Sequence, residues 1–156
     1  MAHIFADEQY VGYLLDVEVA LAVVQAEMGV IPKAAAEAIR SARTSLVPDY
    51  AKLQASTEKA GLPIIELVNQ LRGATASDYA PYVHWGATTQ DIMDTALVLQ
   101  MKAALGVIEK VLWEVCNGLA GLADEHRSTL MAGRTHSQQA LPITFGLKAA
   151  GWLAPL

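Results

Sequence analysis

The stretch that decides the fold is Asp91–Glu125, which reads DIMDTALVLQMKAALGVIEKVLWEVCNGLAGLADE. It contains no proline, and its apolar residues recur at helical spacing along two lines. The first line consists of Leu97, Met101, Ala104, Ile108, Val111, Val115, Gly118 and Leu122, and the second of Val98, Leu105, Leu112 and Leu119. Because more than one side is apolar, the stretch predicts a long helix that is buried among several neighbours.

The length of this helix indicates a bundle shared between chains. At 1.5 Å per residue the helix would be about 50 Å long, whereas a compact globule of this chain length would be about 40 Å across. Hydrophobic residues make up 53% of the chain and charged residues only 17%, and other subunits would cover this apolar excess. We therefore expect a homo-oligomer with a long helical bundle.

The rest of the chain also predicts helices, and no run shows the period-two alternation of a strand. Pro142, which suits the first turn of a helix, predicts one that continues to the end of the chain. Apolar spacing and turn residues predict four helices before the long one, at Phe5–Met28, Pro32–Ala42, Asp49–Ala60 and Pro63–Arg72. The predicted fold class is all-α, with an N-terminal helical domain at 1–82 and the first part of a central helical-bundle domain at 83–156.

Charge and composition exclude several classes of function. The net charge is −5 and no Lys/Arg cluster is present, so we expect no nucleic-acid partner. Cys116 is the only cysteine, which rules out an internal disulfide. The N-terminus lacks the basic region of a secretory signal. The longest stretch without a charged residue, Thr135–Leu147, is too short to span a bilayer. We expect a cytoplasmic protein with no membrane partner.

Two polar stretches flank the long helix. The first, Val83–Asp91, contains His84, Thr88 and Thr89, and the second, Gly133–Gln139, contains Arg134, Thr135, His136 and Gln138. We predict that the second stretch is a short connection between two helices, in which Gly133 provides a turn. Arginine can bind a carboxylate through two hydrogen bonds, histidine can transfer a proton near neutral pH, and helix N-termini suit anions. A long helix would separate the two stretches, so we predict an anion site at a subunit junction.

Structural interpretations of these residues stand beside the functional ones. His84 could be a histidine bonded only to backbone, Thr88 and Asp91 could simply cap a helix, and Arg134 could pair with a structural acid. His136 is the hardest to explain structurally, because several polar groups beside it in an apolar context need partners. No histidine spacing suits a metal ion, and no glycine-rich phosphate loop is present.

The two polar stretches resemble two motif regions of the fumarase/aspartase superfamily. His84-Trp-Gly-Ala-Thr-Thr-Gln-Asp91 is similar to its H-x-G-x-T-S-x-D region, with Thr89 where serine is usual. Gly133-Arg-Thr-His-Ser-Gln-Gln-Ala-Leu-Pro142 is similar to its G-R-T-H region and most resembles the 3-carboxy-cis,cis-muconate cycloisomerase branch. Adenylosuccinate lyases, the next most similar branch, usually carry a second histidine where Gln138-Gln139 stand and a His-Asp pair near Pro63.

This resemblance implies an all-helical homotetramer with active sites where three subunits meet. It also implies reversible addition or elimination next to a carboxylate of a small polycarboxylate substrate, with no cofactor and no metal. His136 would be the catalytic acid/base, and His84 would orient the substrate or the acid. The residues that would bind substrate carboxylates are Thr88, Thr89, Arg134, Thr135 and Gln138.

Departures from the family pattern leave alternatives open. Bacterial cycloisomerases often carry tryptophan where His136 stands, so the substrate could instead be that of adenylosuccinate lyase or of another fumarate-releasing C–N or C–O lyase. The mobile loop S-S-x-M-P-x-K-x-N, which supplies a serine base, is absent. We therefore expect the chain to be an N-terminal portion that is inactive alone. A non-catalytic helical oligomerisation module is the alternative of another class.

Overall fold

The computed structural model describes residues 1–156 as six helices and one two-stranded sheet. The chain divides into two compact units, Met1–Ala104 and Leu105–Leu156. Short 3-10 helices lie at Ala2–Phe5 and Ala80–Tyr82. The main elements are α1 Asp7–Glu27, α2 Lys33–Ser45, α3 Tyr50–Ala60, α4 Ile64–Ala74, α5 Thr89–Glu125, β1 Leu130–Thr135, β2 Gln138–Thr144 and α6 Phe145–Leu153. The helical fold class is confirmed, and the small sheet is an addition that the sequence did not predict.

The core of the first unit is aliphatic and lies among α1, α2, α4 and the beginning of α5. Helix α1 packs along α2, and α4 contacts α1, α2 and α3. The largest fully buried apolar side chains are Leu14, Leu15, Ile39, Ile64, Leu67, Leu71, Val83 and Ile92. Glu18 is the one acid that is fully buried with them, and it lies on the face of α1 that points into this core.

Local signals set the ends of α3 as the sequence predicts. Asp49 is the N-cap, and its Oδ1 accepts a hydrogen bond of 3.1 Å from the backbone N–H of Lys52. Gly61 ends the helix with a φ of 75°, a left-handed conformation that glycine adopts without strain. Its N–H donates to the carbonyl of Thr57 at 2.7 Å.

Helix α5 is the longest element and is only partly buried. Its 37 residues correspond to about 55 Å of helix, and the helix continues through Gly118 and Gly121. Its buried residues are Ile92, Ala96, Gln100 and Ala104. No residue of α5 after Ala104 is buried. Most of the apolar surface that α5 carries is therefore left uncovered by this chain. No helix is both long enough and apolar enough to cross a membrane.

The prediction of a helix that begins at Pro142 is wrong. Pro142 lies in β2, where it pairs with Ala132 of β1. Both strands of a two-stranded sheet are edge strands, which tolerate a residue without an N–H. Helix α6 begins instead at Phe145, and the hydroxyl of its N-cap Thr144 accepts a hydrogen bond of 3.1 Å from Leu147 N–H.

Helix α6 approaches the C-terminal end of α5 through Gly146. The N–H of Gly146 donates to the carbonyl of His126 at 2.9 Å. A Cβ at this position would lie 2.5 Å from the carbonyl oxygen of Ala123 and 2.8 Å from that of His126. Both obstacles are backbone atoms, so a larger residue could fit only if the two helices moved apart.

We expect Gly146→Ala to lower the free energy of unfolding of the chain by roughly 1–3 kcal/mol, because the added methyl overpacks this contact. Gly151→Ala is the matched control on the same helix, since nothing lies within 4 Å of a Cβ there. It should leave stability unchanged or raise it by up to about 1 kcal/mol, because alanine favours helix over glycine. Urea denaturation followed by circular dichroism measures both. Equal stability of the two variants would contradict the close approach.

Candidate functional site

Three side chains fix three consecutive residues in the first polar stretch. Arg72 of α4 donates from Nη2 to the carbonyl of Val83 at 3.1 Å. Glu18 of α1 lies 2.6 Å from Nδ1 of His84 through its Oε1. Gln25, two turns further along α1, donates from Nε2 to the carbonyl of Trp85 at 2.7 Å. Together these bonds hold His84 with a φ of 62°, a conformation that is uncommon in non-glycine residues.

The hydrogen-bonded pair formed by Glu18 and His84 is shielded from water. The side chain of Glu18 is 1% exposed and that of His84 is 15% exposed. Burial raises the pKa of Glu18, and this effect outweighs the hydrogen bond and the charge of His84 and the charge of Arg72, which lower it. The second oxygen, Oε2, is buried without a hydrogen-bond partner. Burying an ionised carboxyl costs free energy unless the group is paired and hydrogen-bonded.

A small cleft of about 180 Å³ opens beside this pair. One wall is aliphatic and consists of Ile64, Ile65 and Val68 of α4. The polar side is formed by Asn69, Arg72, His84 and Thr89. The cleft therefore combines a cationic group, an imidazole, an amide and a hydroxyl, a set of groups that can bind a carboxylate.

Thr88 and Thr89 lie at the N-terminal end of α5. The carboxylate of Asp91 accepts a hydrogen bond of 2.9 Å from the N–H of Thr88, which is one half of the predicted capping box. Thr88 is exposed, and Thr89 is half-buried at the cleft. The first N–H groups of a helix lack partners within it, so this end of α5 offers donors to an anion.

The second polar stretch is the tip of the β1–β2 hairpin and does not connect two helices as predicted. His136 and Ser137 form the two-residue turn, and Ser137 has a φ of 61°. The strand register is irregular between Ala132 and Arg134. Gly133, in this irregular segment, is buried, and a Cβ there would collide with the backbone oxygen of Leu141. Glycine is therefore needed at Gly133 for close strand approach and not for a turn.

The register of the hairpin sorts its polar residues onto two faces. Thr135 pairs with Gln138, and Arg134 pairs with Gln139. Residues directly opposite each other in an antiparallel pair share a face, and neighbours along a strand point to opposite faces. Thr135 and Gln138 therefore lie side by side next to the His136 turn, while Arg134 lies on the other face. All four of the predicted residues at this tip are exposed.

The structure thus groups the predicted residues into two sets. His84 and Thr89 meet at the α4 cleft with Thr88 beside them, and Thr135, His136 and Gln138 meet at the hairpin tip. Sequence reasoning missed the residues that hold the first set, namely Glu18, Gln25 and Arg72. A signal for Glu18 exists in the sequence, because it is an acid on the apolar face of α1. The chain has no group of three His, Cys, Asp or Glu side chains that could hold a metal ion.

A family described as Lyase matches residues 1–156 of this chain. The chain belongs to this lyase family, in the fumarase/aspartase superfamily. Membership confirms the resemblance that the two polar stretches carry.

Three similar proteins illustrate the range of this lyase family. The chain is 42% identical over 155 residues to trans-aconitate decarboxylase 1 of Mycosarcoma maydis. The match covers 99% of this chain and 31% of that protein. The chain is 43% identical over 157 residues to 3-carboxy-cis,cis-muconate cycloisomerase of Acinetobacter baylyi, with coverages of 97% and 35%. The crystal structure of fumarate lyase from Mesorhizobium sp. BNC1 matches with a TM-score of 0.95 and 46% identity, over 98% of this chain and 36% of that one. The chain spans about a third of the length of these relatives.

The raised pKa of Glu18 predicts how stability depends on pH. Because the folded-state pKa lies above the ordinary value of 4.5, the stability that this group contributes is present below that pH and is lost as pH rises through the folded pKa. The free energy of unfolding of the wild type, relative to Glu18→Gln, should therefore fall as the pH rises above the ordinary pKa of 4.5 and through the raised folded-state pKa.

Urea titrations of both proteins at several pH values measure this difference. Glu37→Gln, which removes an exposed carboxyl on α2, is the control for effects of surface charge. If the two variants differ from the wild type by amounts that change with pH in the same way, Glu18 does not carry the predicted burial cost.

Proposed function

We propose that this chain is the N-terminal part of an enzyme that catalyses reversible addition or elimination next to a carboxylate of a polycarboxylate, similar to 3-carboxy-cis,cis-muconate cycloisomerase. The observation that carries the proposal is the hairpin tip, where the cross-strand pair Thr135 and Gln138 adjoins the imidazole of His136. Membership of the lyase family supports the reaction class.

The chemistry needs a charged intermediate to be stabilised. When a base removes a proton next to a carboxylate, that carboxylate takes up negative charge, and hydrogen-bond donors in fixed positions lower the barrier. The hydroxyl of Thr135 and the amide of Gln138 are donors on one face of the hairpin. His136, in the adjacent turn, would act as general acid or base toward the bond that breaks or forms.

The two-face arrangement of the hairpin suits a substrate with several carboxylates. Arg134 lies on the face opposite Thr135, so one carboxylate cannot contact both side chains of a single hairpin. We assign Arg134 to a different carboxylate of the substrate. Thr88 and Thr89, with the N-terminal end of α5, would be supplied by another subunit of a homotetramer and would also bind a substrate carboxylate, as the family resemblance implies.

The names of two relatives also favour a polycarboxylate. Trans-aconitate and 3-carboxy-cis,cis-muconate, named in relatives that are 42% and 43% identical, are both unsaturated tricarboxylates. Adenylosuccinate is the alternative substrate, and adenylosuccinate lyase of Synechocystis sp. is 37% identical. The glutamines at Gln138-Gln139 and the apolar residues around Pro63 disfavour it, because adenylosuccinate lyases usually carry histidines at these positions.

The function is tested in the full-length protein that contains this chain. Ultraviolet absorbance should report turnover of 3-carboxy-cis,cis-muconate in preference to adenylosuccinate. His136→Gln should lower kcat by about 10²–10⁴-fold, the usual contribution of an acid/base group. His126→Gln is the matched control, because it removes another histidine of the same unit, one that contacts Thr129 and Phe145. A loss of less than about tenfold in His136→Gln would argue against its role.

One observation favours a second candidate, a helical oligomerisation module. Past Ala104, α5 exposes large apolar side chains that no part of this chain covers, including Leu105, Ile108, Val111, Trp113 and Val115. A module of this kind and an oligomeric enzyme both need this surface, and only the enzyme needs His136. Absence of turnover with every dicarboxylate and tricarboxylate, together with stable association, would favour the module.

We expect the 156-residue chain to associate in solution, because the exposed apolar surface of α5 is larger than a monomer usually tolerates. Ile108→Glu should shift the chain toward monomer, since it places a charge in this surface. Lys110→Glu, which changes charge on the same helix without removing apolar area, should not. Light scattering coupled to size-exclusion chromatography measures the molar mass. A soluble monomer in the wild type would contradict the shared bundle.

A further inference from the structure

We propose that Glu18 is a positioning residue that fixes the imidazole of His84 through Nδ1, so that Nε2 is the ring nitrogen available to a ligand in the α4 cleft. The proposal assigns a role to a buried acid that lies 66 residues from its partner in sequence. The effect of Glu18 on catalysis rests on the proposed function. Its effect on the tautomer of His84 rests on geometry alone.

The geometry identifies which nitrogen is free. Nδ1 of His84 lies 2.6 Å from Oε1 of Glu18, which is itself fully buried among the apolar side chains of α1. In the proposed state the carboxylate is ionised and can only accept a hydrogen bond, so Nδ1 carries the proton and donates it. Nε2 lies on the other side of the ring, and His84 lines the cleft together with Thr89 and Arg72. A ligand in the cleft therefore meets Nε2.

The ring contact is separate from the contacts that hold the backbone. Arg72 fixes the carbonyl of Val83 and Gln25 fixes that of Trp85, so the backbone is held on both sides of His84. The 2.6 Å contact of Glu18 is with the ring of His84, while the backbone of His84 and the charge of Arg72 have smaller effects on its carboxyl. Its Oε2 is buried without a hydrogen-bond partner. A neutral side chain could fill the same space without that cost. The retained charge is explained if it acts on the imidazole.

A carboxylate behind an imidazole selects one tautomer and stabilises a proton that arrives at the opposite nitrogen. The charged groups that face Glu18 are His84 and Arg72. When Nε2 accepts a proton from the ligand side, the ring becomes imidazolium, and Glu18 is the anion that balances it. When Nε2 donates, the same hydrogen bond keeps the ring in place.

Nitrogen-15 NMR of the 156-residue chain with labelled histidine tests the state of the ring directly. The chain has four histidines, and the signals of His84 are assigned by their loss in His84→Gln. In the wild type near neutral pH we expect the proton on Nδ1. In Glu18→Leu the population should shift toward the Nε2–H tautomer. Glu18→Gln, which keeps the volume of the side chain, should shift it by a smaller amount, because an amide can either donate or accept.

Gln25→Leu is the matched control for a merely structural role. It removes the neighbouring hydrogen bond from the same helix and leaves the ring contact intact, so the His84 tautomer should stay as in the wild type. An unchanged tautomer in both Glu18 variants would overturn the proposal. So would a shift in Gln25→Leu as large as that in Glu18→Leu.

The full-length enzyme supplies the second readout. A carboxylate that orients a catalytic imidazole can be worth up to about 10⁴-fold, so Glu18→Leu should lower kcat/KM by about tenfold or more, and Gln25→Leu should lower it less. A normal tautomer shift without any wild-type turnover would contradict the proposed function and leave the ring assignment standing. Normal turnover in Glu18→Leu would overturn the catalytic consequence.

Discussion

The rest of the structure depends on helix α5, which carries more apolar surface than its own chain buries. Its buried residues, Ile92, Ala96, Gln100 and Ala104, follow one another at intervals of four and dock the beginning of the helix onto the N-terminal core. Past Ala104 the helix keeps the same apolar character, but none of its residues is buried. Removing apolar surface from water is the main driving force of association. The remaining surface is the physical basis of the proposed bundle with other copies of the chain.

The polar residues occur in two sets, one before or at the beginning of α5 and one beyond its end. His84, Thr88 and Thr89 lie just before or at the beginning of α5, and His136 lies beyond its end in the hairpin. The first set is held rigidly by side chains of α1 and α4. The second is exposed on a two-stranded ribbon. In the proposed function both sets act on one substrate and are contributed by different subunits.

The sequence predicted most of the helical architecture, because local rules govern it. The ends of α3, at the N-cap Asp49 and next to Gly61, and the continuous helix ending at Glu125 follow from turn residues, capping and apolar period. The hairpin escaped prediction because most of its residues are exposed in this chain. Without a buried face, a strand has no alternation of apolar and polar residues to read. Pro142 suits the first turn of a helix, but proline is also tolerated in an edge strand.

The sequence predicted which residues belong to the candidate site, but not which side chains hold them in place. The motif stretches named His84, Thr89, Thr135 and His136 as candidates, and their roles stay predictions. Thr135 shares a face with Gln138 and not with Arg134 because of the strand register. The sequence predicted a helix from Pro142 and therefore no strand register. The partner of His84 lies on α1, and spacing along the chain does not reveal which acid meets which histidine across the fold.

Mixing two inactive full-length variants tests the central claim most directly, namely that His84 and His136 act in one site but come from different subunits. The variants His84→Gln and His136→Gln are each expected to be inactive. They would be mixed, unfolded together, refolded and assayed. If each site takes the two residues from different chains, random mixing restores both to about a quarter of the sites, and activity should return toward that level. If the mixture is no more active than either variant alone, the two histidines do not come together from different subunits, and the account is wrong.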